Sequence, residues 1–536
     1  MTDYDYIIIG AGSGGGFAAL RLSEDPNVRV LILEAGLSDA HWTTRIPAGA
    51  RYTFDGGPRT WSFETEPEPH MNGRRLMQPR GKVVGGSSSL NGMVYVRGHR
   101  KDFDRWAAND APGWSYNDVL PHFRAIETYA QGADDHRGDA GPVKVCKNQI
   151  LHPIEDAFLE AAAQAGHPIP EDYNGADQLG ATAFDSNIDD GWRSGTARAC
   201  VNPAAIRPNV TLTTGAVVTR LHIEHGRAVG VAYRQVGKDH MVRTDGEIVL
   251  AAGAFQTPQL LMLSGLGPAD HLRKHELDVL ADLPGVGENL QDHLEVHLKH
   301  QGRHKGISQN HLLRRHRILL AGIQWYLFKS GPAARAPSRV GGFFQSDPDA
   351  GHPDIQFHFW PYFLDGWSPP PDKDGYCFDV GPVRSESRGW VRLRSADPFD
   401  APLIQLNGLS TDDDMRLFRR AIVIAREIAA QSAFDFCRGP EVSPGPDVTS
   451  DADLDAYVRA NANSAYHPCG TAKIGSDAMA VVDAEGRVHG IDGLRIADAS
   501  IMPKITNGNI NAPVMMIGEK IAQNILGQVV PKQPVP

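Results

Sequence analysis

Three glycines near the start of the chain have a spacing that is typical of dinucleotide binding. Gly10, Gly12 and Gly15 read G-x-G-x-x-G directly after a short apolar run. The first glycine permits a tight turn, the second lets the backbone approach a pyrophosphate, and the third allows close contact between helix and strand. Glu34 follows 19 residues after Gly15, where a carboxylate can accept hydrogen bonds from ribose hydroxyls. The pattern predicts a dinucleotide site and leaves FAD and NAD both open.

The segments around this motif predict a β-α-β unit. We expect strands at 4–9 and 28–33 with a helix between them, because short continuous apolar runs suit strands buried on both faces of a parallel sheet. Similar apolar runs return at 248–253 and 494–497, and a helix is expected at 514–525. The dinucleotide-binding fold is therefore expected to be assembled from separated parts of the chain.

The middle of the chain has a different character. The region from about 296 to 460 mixes expected strands at 355–360 and 390–393 with an amphipathic helix near 415–430, preceded by the acidic pair at 412–413. Acidic residues favour a helix N-terminus. The order predicts an inserted substrate domain. We assign 1–150, 190–295 and 460–536 to the dinucleotide-binding domain, and 151–189 and 296–459 to the substrate-binding domain.

Composition excludes several classes of protein. The 536 residues are 41% hydrophobic and 22% charged, as expected of a globular enzyme, and the net charge of −11 argues against a nucleic-acid binder. The five cysteines are widely spaced, which fits a reducing compartment and disfavours a cysteine-built metal or iron–sulfur site. The chain has neither a basic leader nor 18 consecutive apolar residues. We therefore expect no integral membrane segment and a cytoplasmic protein, with peripheral membrane attachment left open.

Four longer segments carry a family resemblance. They are GKVVGGSSSLNGM at 81–93, GAFQTPQLLMLSGLG at 253–267, GENLQDH at 287–293 and HPCGT at 467–471. With them, the chain resembles the glucose–methanol–choline (GMC) oxidoreductase family over essentially its whole length. The resemblance implies FAD rather than NAD. It also implies an α/β fold, in which a Rossmann-like FAD-binding domain carries an inserted α+β substrate-binding domain built on an antiparallel sheet.

The resemblance also assigns residues to the cofactor. Residues 87–91 and Met93 are expected along the flavin and pyrophosphate, Val218 at the adenine through its backbone, and 498–499 at the pyrophosphate and ribityl chain. Small residues suit this role because they let backbone N–H groups approach an anion closely. The expected cofactor-binding residues are Gly10, Gly12, Gly15, Glu34, Gly85, Ser87, Ser88, Asn91, Gly92, Met93, Val94, Val218, Asp498 and Ala499. Leu90 stands where some members attach the flavin through a histidine, so we predict non-covalent FAD.

A catalytic pair follows from the same resemblance. His467 matches the family histidine that lies over the flavin and takes the alcohol proton, and Asn511, 44 residues later, is assigned as its partner. An alcohol is a weak acid, so hydride departure to flavin N5 needs a base, and a near-neutral imidazole suits this task. An asparagine supplies a hydrogen bond to the substrate oxygen without adding charge. The sequence therefore predicts FAD-dependent oxidation of a primary alcohol to the aldehyde.

The substrate is predicted less narrowly. Several stretches resemble the choline dehydrogenase and bacterial alcohol dehydrogenase branch of the family, and Glu295 matches a carboxylate that choline-oxidising relatives place near the substrate ammonium. A buried carboxylate pairs well with a cation. Tyr466 and Trp360 are further expected substrate contacts. Aromatic side chains suit a cation cage and an aryl or furanic alcohol equally; the candidate rings are Trp360, Tyr362, Phe363, Trp367 and Tyr466. Polyether and aliphatic alcohols stay open, as do oxygen, a quinone or another carrier as electron acceptor, and the oligomeric state.

Three other interpretations are set aside. The alternating residues His293, Glu295 and His297 have a spacing that could seat a metal, but flavin-dependent oxidation requires none, and we expect no metal. The basic run 303–317 could meet an anionic partner or a membrane surface, although a solvated loop or lid is the expected role. A catalytically silent flavin-binding protein is disfavoured by the presence of both His467 and Asn511.

Overall fold

Two seven-stranded sheets organise the protein in this computed structural model, which describes residues 4–52, 56–364 and 373–528. The α-helices are α1 (Ser13–Leu22), α2 (Trp42–Arg45), α3 (Arg100–Ala108), α4 (Tyr116–Ile126), α5 (Pro153–Gln164), α6 (Asn202–Ala205), α7 (Gly253–Leu263), α8 (Ala269–Lys274), α9 (Arg315–Phe328), α10 (Asp412–Ala429), α11 (Asp451–Asn461) and α12 (Asn511–Ile525).

The strands are more numerous and shorter. They are β1 (Tyr4–Ile9), β2 (Val30–Glu34), β3 (Thr60–Glu64), β4 (Met77–Gly81), β5 (Glu127–Tyr129), β6 (Val143–Lys147), β7 (Gly180–Ala183), β8 (Asp185–Ser186), β9 (Ile188–Asp189), β10 (Trp192–Arg193), β11 (Val210–Thr214), β12 (Ala216–Glu224), β13 (Arg227–Gln235), β14 (Lys238–Leu250), β15 (Leu266–Gly267), β16 (Ala281–Asp282), β17 (Leu294–Gly302), β18 (Val340–Phe344), β19 (Ile355–Trp360), β20 (Gly375–Pro382), β21 (Trp390–Arg392), β22 (Leu403–Gln405), β23 (Arg438–Ser443), β24 (Asn463–Ser464) and β25 (Leu494–Ile496).

The first sheet has the order β11-β2-β1-β14-β13-β12, with β25 beside β14. Its centre is parallel: β1 lies between β2 and β14, with Ile8 opposite Ile32 on one side and Val249 on the other. Helices α1 and α12 pack against each other in the core of this sheet. The continuous apolar run of β1 is explained by burial on both faces of a parallel sheet.

The predicted β-α-β unit is confirmed with one shift in its bounds. The second strand starts at Val30 rather than Val28, because the Val28 N–H donates to the Asp25 carbonyl in a turn. Gly15 allows α1 to approach the strand: a Cβ there would lie 2.0 Å from the Gly10 carbonyl oxygen. Gly10 itself has φ +98°, a conformation that favours glycine.

The second sheet is antiparallel throughout its main path, β23-β17-β20-β19-β18-β7, and β24 pairs with the start of β17. Helices α5 and α10 cover it and contact each other. Phe158 on α5 stacks on Phe359 of β19 with ring centroids 4.7 Å apart. An aromatic and aliphatic core therefore forms separately from that of the first sheet.

Helix α10 starts three residues before the predicted position, at Asp412. The Thr411 side chain accepts a hydrogen bond from the Asp414 N–H, and three aspartates occupy the first turn. Both features stabilise a helix N-terminus. The strands predicted at 355–360 and 390–393 are present as β19 and β21, the latter one residue shorter.

The membership of the two sheets supports the division into two domains that we propose from the sequence. Strand β7 and helix α5, from the segment 151–189, join the second sheet and its core. Strand β25 and helix α12, from the final segment, join the first. Along the described ranges, no helix combines the length and the apolar character that crossing a bilayer requires.

Candidate active site

A cavity of about 750 Å³ lies at the carboxyl ends of β1 and β2 and is lined by residues from both sheets. Gly10 and Glu34 follow or end the parallel strands, whereas Glu295, His358 and Trp360 reach it from β17 and β19. Ligands of open parallel sheets bind outside the carboxyl ends of the strands. The cavity therefore joins a dinucleotide-binding end to a compartment walled by the antiparallel sheet.

The dinucleotide end is shaped by backbone rather than by side chains. Gly12 and Gly86 meet so closely that a Cβ on Gly86 would lie 2.8 Å from the Gly12 Cα. Gly12 caps α1 without a side-chain hydrogen bond, and no acidic residue occupies the first turn of that helix. The free N–H groups and the positive end of the helix dipole suit a pyrophosphate. The residues present therefore fit the diphosphate of FAD.

Two buried carboxylates hold the backbone of this end. Both oxygens of Glu34 accept backbone hydrogen bonds, from Ala11 N–H at 2.9 Å and Gly36 N–H at 2.7 Å. Burial raises the Glu34 pKa to about 7 in spite of these bonds. Asp498 accepts from the Gly253 N–H at 2.8 Å and from the Thr257 hydroxyl at 2.6 Å. Each carboxylate ties a glycine-containing turn to a strand end beside the cavity.

Most of the predicted cofactor-binding residues line the cavity. Those that do are Gly10, Gly12, Glu34, Ser87, Asn91, Gly92, Met93, Val94, Val218, Asp498 and Ala499. Gly15 is not among them and serves helix–strand contact, as the motif predicts.

Two assignments in the first signature need correction. The Ser88 hydroxyl faces inward, donates to the Gly85 carbonyl at 2.7 Å and lies 2.6 Å from the Thr196 hydroxyl. Gly85 has φ +90°, and a Cβ there would lie 2.2 Å from Ser89 Oγ. Neither residue lines the cavity. They shape the loop that presents Ser87 and Asn91.

The backbone is strained at two points of the cavity wall. Met93 and Tyr466 have φ +64° and +65°, which is unusual for residues with a Cβ. Tyr466 is held there because its N–H donates to Ser464 Oγ at 2.8 Å and its carbonyl accepts from the Arg80 guanidinium at 2.9 Å. Such strain clusters at functional sites, and here it directs the next residue, His467, into the cavity.

His467 is held at three points. Its backbone N–H donates to Asp292 Oδ1 at 2.7 Å, its Nδ1 lies 3.0 Å from Nδ1 of His293, and its Nε2 lies 3.0 Å from Nδ2 of Asn509. Burial lowers the His467 pKa well below its ordinary value, and the neighbouring His293, His358 and Arg80 lower it further. The imidazole is therefore neutral at neutral pH.

The hydrogen bonds also fix which nitrogen of His467 carries the proton. Nε2 of His293 lies 3.2 Å from the Val383 carbonyl oxygen, which only accepts, so this nitrogen is protonated. Burial lowers the His293 pKa to about 4, so the ring is neutral and its Nδ1 accepts. Nδ1 of His467 must then donate, so Nε2 of His467 carries the lone pair and accepts from the Asn509 amino group.

Asn509 is the asparagine whose side-chain amide contacts His467. The Asn511 side chain accepts from the Ser13 hydroxyl at 2.7 Å, because Asn511 begins α12 and faces the N-terminus of α1. Both asparagines line the cavity. Asn509 is therefore a second candidate partner of His467, and the predicted pair of His467 and Asn511 stays a prediction.

The orientation of the Asn509 amide is fixed by Gln356 on β19. Gln356 Nε2 donates to Asn509 Oδ1 at 3.1 Å, so the Asn509 amino group points to His467. His358, on the same face of β19, lies beside Gln356, with its Nδ1 3.9 Å from a carboxylate oxygen of Glu295. The antiparallel sheet therefore positions both Asn509, through Gln356, and the carboxylate of Glu295.

The buried carboxylate of Asp292 accepts the hydrogen bonds that hold the turn before His467. Asp292 accepts from the backbone N–H groups of His293 and His467 and from the Ser464 hydroxyl. Burial raises the Asp292 pKa to about 6 although these bonds and the nearby Arg80 oppose the shift. One side chain thus joins the start of β17 to the loop after β24.

Glu295 is the acidic group of the second compartment, the part of the cavity that is walled by the antiparallel sheet. It lines the cavity, and no described residue lies within hydrogen-bonding distance of its carboxylate. Burial raises its pKa to about 8, and the Asp379 carboxylate adds to the shift. An acid held in this way favours a partner that supplies positive charge.

Asp379 on β20 connects two further residues of this compartment. Its Oδ2 accepts from the Trp360 indole N–H at 2.6 Å, and its Oδ1 is paired with Nδ1 of His297. Burial alone would lower the His297 pKa, but the Asp379 carboxylate raises it to about 9. This carboxylate fixes the Trp360 ring in the cavity wall.

Three of the five candidate aromatic residues line the cavity, and the three residues that could seat a metal contact different neighbours. Trp360, Tyr362 and Tyr466 line the cavity, whereas Phe363 does not and Trp367 lies outside the described residues. His293, Glu295 and His297 each have a different neighbour, namely His467, His358 and Asp379. No group of three or more potential metal ligands occurs within 4–52, 56–364 and 373–528.

Several residues of the site escaped the sequence interpretation. Asn509, Gln356, His358, Asp292 and Arg80 had no assigned role, although Asp292 lies in a quoted family segment. The N-x-N spacing of Asn509 and Asn511 was the one available signal for the first of them. The others are brought together by sheet pairing between distant segments.

Comparisons with known proteins agree with this geometry. The family model for GMC oxidoreductase matches residues 4–295 in its N-terminal part and 385–518 in its C-terminal part. The chain is 45% identical to the mitochondrial choline dehydrogenase of Mus musculus, over 98% of this chain and 90% of the mouse protein. It is 44% identical to the oxygen-dependent choline dehydrogenase of Brucella canis, over 98% and 96%.

Solved structures give the same fold. Pyridoxine 4-oxidase from Mesorbium loti superposes with a TM-score of 0.88 at 33% identity, over 97% of this chain and 99% of that one. Formate oxidase gives 0.91 at 29% identity, over 98% of both chains. The α/β fold with a Rossmann-like FAD-binding part and an antiparallel substrate-binding part is thus confirmed. The chain belongs to the GMC oxidoreductase family, on its choline dehydrogenase branch, and is an FAD-dependent oxidoreductase that acts on CH–OH donors.

Proposed function

We propose that this enzyme oxidises a primary alcohol that carries a quaternary ammonium group, choline or a close analogue, to the aldehyde. The observation that carries the proposal is the position of Glu295, a partly buried carboxylate without a hydrogen-bond partner among the described residues, in the cavity that also holds His467. A desolvated carboxylate attracts a cation strongly, and the ring of Trp360 adds an aromatic wall.

We assign the base to Nε2 of His467. In this structure the lone pair of this nitrogen accepts from the Asn509 amino group. The substrate hydroxyl replaces that contact and donates to Nε2, and the Asn509 amino group turns to donate to the substrate oxygen. As the carbinol carbon gives up a hydride, the hydroxyl proton moves to Nε2, and a C=O bond forms. FAD, when bound, supplies the acceptor for that hydride.

His293 stabilises the protonated form of His467 through the hydrogen bond at Nδ1, on the side of the ring opposite Nε2. His467 Nδ1–H donates to Nδ1 of His293, which in turn is anchored on the Val383 carbonyl. Both rings are buried, so these bonds are stronger than they would be in water. These contacts keep the neutral imidazole in one tautomer and hold the ring in one orientation when Nε2 takes up the proton.

We further propose that FAD is held non-covalently. Leu90, at the position where some members carry the linking histidine, is buried and has no nucleophile. The residues that would hold the cofactor are the glycine loop, Ser87, Asn91 and the 498–499 turn, all of which line the cavity. Acid precipitation should release all of the flavin into the supernatant, and flavin in the pellet would refute this point.

An aromatic primary alcohol is the second candidate, because Trp360, Tyr362 and Tyr466 wall the cavity. A panel of choline, its uncharged isostere with carbon in place of nitrogen, and benzylic, furanic, aliphatic and polyether alcohols separates the two. Each should be assayed with oxygen and with a quinone. The proposal requires choline to exceed its isostere in kcat/KM, and this preference to vanish in Glu295→Gln.

A further inference from the structure

Helix α9 presents apolar side chains on the side that faces away from the protein. Six of the twenty large apolar side chains that are exposed in the described part of the chain lie on its fourteen residues. They are between 47% and 73% exposed: Leu319, Leu320, Ile323, Tyr326, Leu327 and Phe328. Scattered exposed apolar residues need no explanation, but a contiguous set marks an interaction surface.

The spacing of these residues places most of them on one stripe. At about 100° per residue, positions 319, 320, 323, 326 and 327 fall within roughly a third of the helix circumference. The opposite side is the one that packs: Trp325 is buried against Trp192, with ring centroids 4.7 Å apart, and its indole N–H donates to the Gly191 carbonyl. The outer stripe is therefore apolar where a surface helix is normally polar.

The charge around this helix differs from that of the rest of the protein. The segment 296–346 contains nine lysines and arginines and neither Asp nor Glu, whereas the whole chain has 64 acidic and 53 basic residues. Arg314, Arg315 and Arg317, at the start of α9, are exposed and form no ion pair with any residue the structure describes. The surface thus combines an apolar stripe with uncompensated positive charge.

This combination identifies the kind of partner. An amphipathic surface rich in basic residues binds the interface of a bilayer that contains anionic lipid, since apolar side chains enter the acyl boundary while cations meet the headgroups. A second copy of the chain would suit the apolar stripe but would bring two basic clusters together. We propose that α9, with its basic N-terminal flank, docks this enzyme on the surface of an anionic lipid bilayer.

Docking in this way has a consequence for the cavity. The segments on both sides of α9 line the cavity, through Leu312 and Leu313 before it and Pro332 and Arg335 after it. The helix on the bilayer would hold this wall of the cavity close to the lipid interface. Substrates or electron acceptors dissolved in the membrane then have a short path to the site.

The test uses the full-length holoenzyme and sedimentation with vesicles of phosphatidylcholine alone or mixed with phosphatidylglycerol. We expect binding to the mixed vesicles that weakens with added salt. Replacing Leu319, Leu320 and Leu327 by serine should abolish it. Arg314→Gln, Arg315→Gln and Arg317→Gln together should weaken it by about a hundredfold, at about fivefold for each charge near the surface.

Matched controls remove equivalent groups elsewhere. Ile206→Ser and Val236→Ser delete apolar side chains that are more exposed than those of α9, and Lys238→Gln with Lys274→Gln removes exposed charge. These variants should bind vesicles like the wild type, and all variants should keep flavin content and turnover with a soluble acceptor. Absent vesicle binding, or binding that survives both α9 variants, would overturn the proposal. So would a dimer in light scattering that the serine variant dissociates, since α9 would then be a subunit interface.

Discussion

The Nδ1 atoms of His467 and His293 lie 3.0 Å apart, and the Val383 carbonyl behind His293 decides which of them carries the proton. This relationship makes Nε2 of His467 the acceptor on the cavity side without any reference to a bound ligand. It also places His467 at the end of a hydrogen-bonded series that starts at the Val383 carbonyl, on the loop after β20, and passes through His293.

Replacing the base itself should separate chemistry from binding. We expect His467→Ala to keep its flavin and to lower kcat by about a hundred- to ten-thousandfold, the usual contribution of a general base. Anaerobic bleaching of the flavin by choline, followed in a single turnover, measures this directly. His271→Ala removes another half-buried histidine, whose Nε2 accepts from the Leu393 N–H outside the cavity, and should bleach at the wild-type rate.

His293 should act through orientation of the base. His293→Phe removes the acceptor for Nδ1–H of His467, and we expect kcat to fall by about tenfold, the worth of one hydrogen bond of about 1.4 kcal/mol. His293→Gln retains an acceptor for His467 and a donor for the Val383 carbonyl, so it should recover part of the rate. Equal rates for the two variants would contradict the tautomer assignment.

The two asparagines should have different phenotypes. Asn509→Ala removes the amide beside His467, so we expect a lower kcat with full flavin content. Asn511→Ala removes the acceptor for the Ser13 hydroxyl at the N-terminus of α1, so we expect weaker flavin binding. Flavin content after gel filtration and kcat at saturating choline distinguish the cases, and the reverse pattern would identify Asn511 as the catalytic partner of His467.

The different contacts of these two asparagines show what the sequence could not provide. Asn509 and Asn511 are separated by one residue, and the start of α12 at Asn511 turns one side chain toward α1 and leaves the other facing β19. A match to a motif gives the segment but not the direction of each side chain. Three consecutive serines at 87–89 raised the same difficulty, because only Ser87 among them lines the cavity.

The parallel core was predictable because its signal is local. The apolar run of β1, the glycine motif and Glu34 lie within about thirty residues of one another, and a single β-α-β unit brings them together. By contrast, His293 reaches the Val383 carbonyl 90 residues away and His467 is 174 residues beyond His293. Their meeting depends on the antiparallel register of β17 with β20 and β24, which no short pattern specifies.

The glycine of the helix–strand contact should be intolerant of a methyl group. Gly15→Ala places a Cβ 2.0 Å from the Gly10 carbonyl oxygen and 3.0 Å from the Ala251 Cβ, so the helix must move. We expect the unfolding free energy to fall by about 1–3 kcal/mol, as for overpacked cores, together with loss of flavin. Gly322→Ala is the matched control, because nothing lies within 4 Å of the new atom and the residue is within α9. It should be neutral or slightly stabilising.

The acid of the second compartment should give choline binding a pH dependence. Burial, and then the Asp379 carboxylate, raises the pKa of Glu295 to about 8, so in the free enzyme at neutral pH the carboxyl is largely protonated. A quaternary ammonium binds the ionised form, and binding therefore releases a proton. Choline affinity should rise with pH up to about 8 and fall about tenfold for each unit below it.

The two histidines near Glu295 do not change their charge over the pH range in which Glu295 ionises. His297 has a pKa of about 9, because Asp379 outweighs burial, and stays charged through the transition. Burial lowers the His358 pKa, so that ring stays neutral. We expect the uncharged isostere of choline to show no rise with pH, because it gains nothing from an ionised carboxylate. In Glu295→Gln the rise should disappear for choline as well, and its persistence there would place the titrating group elsewhere.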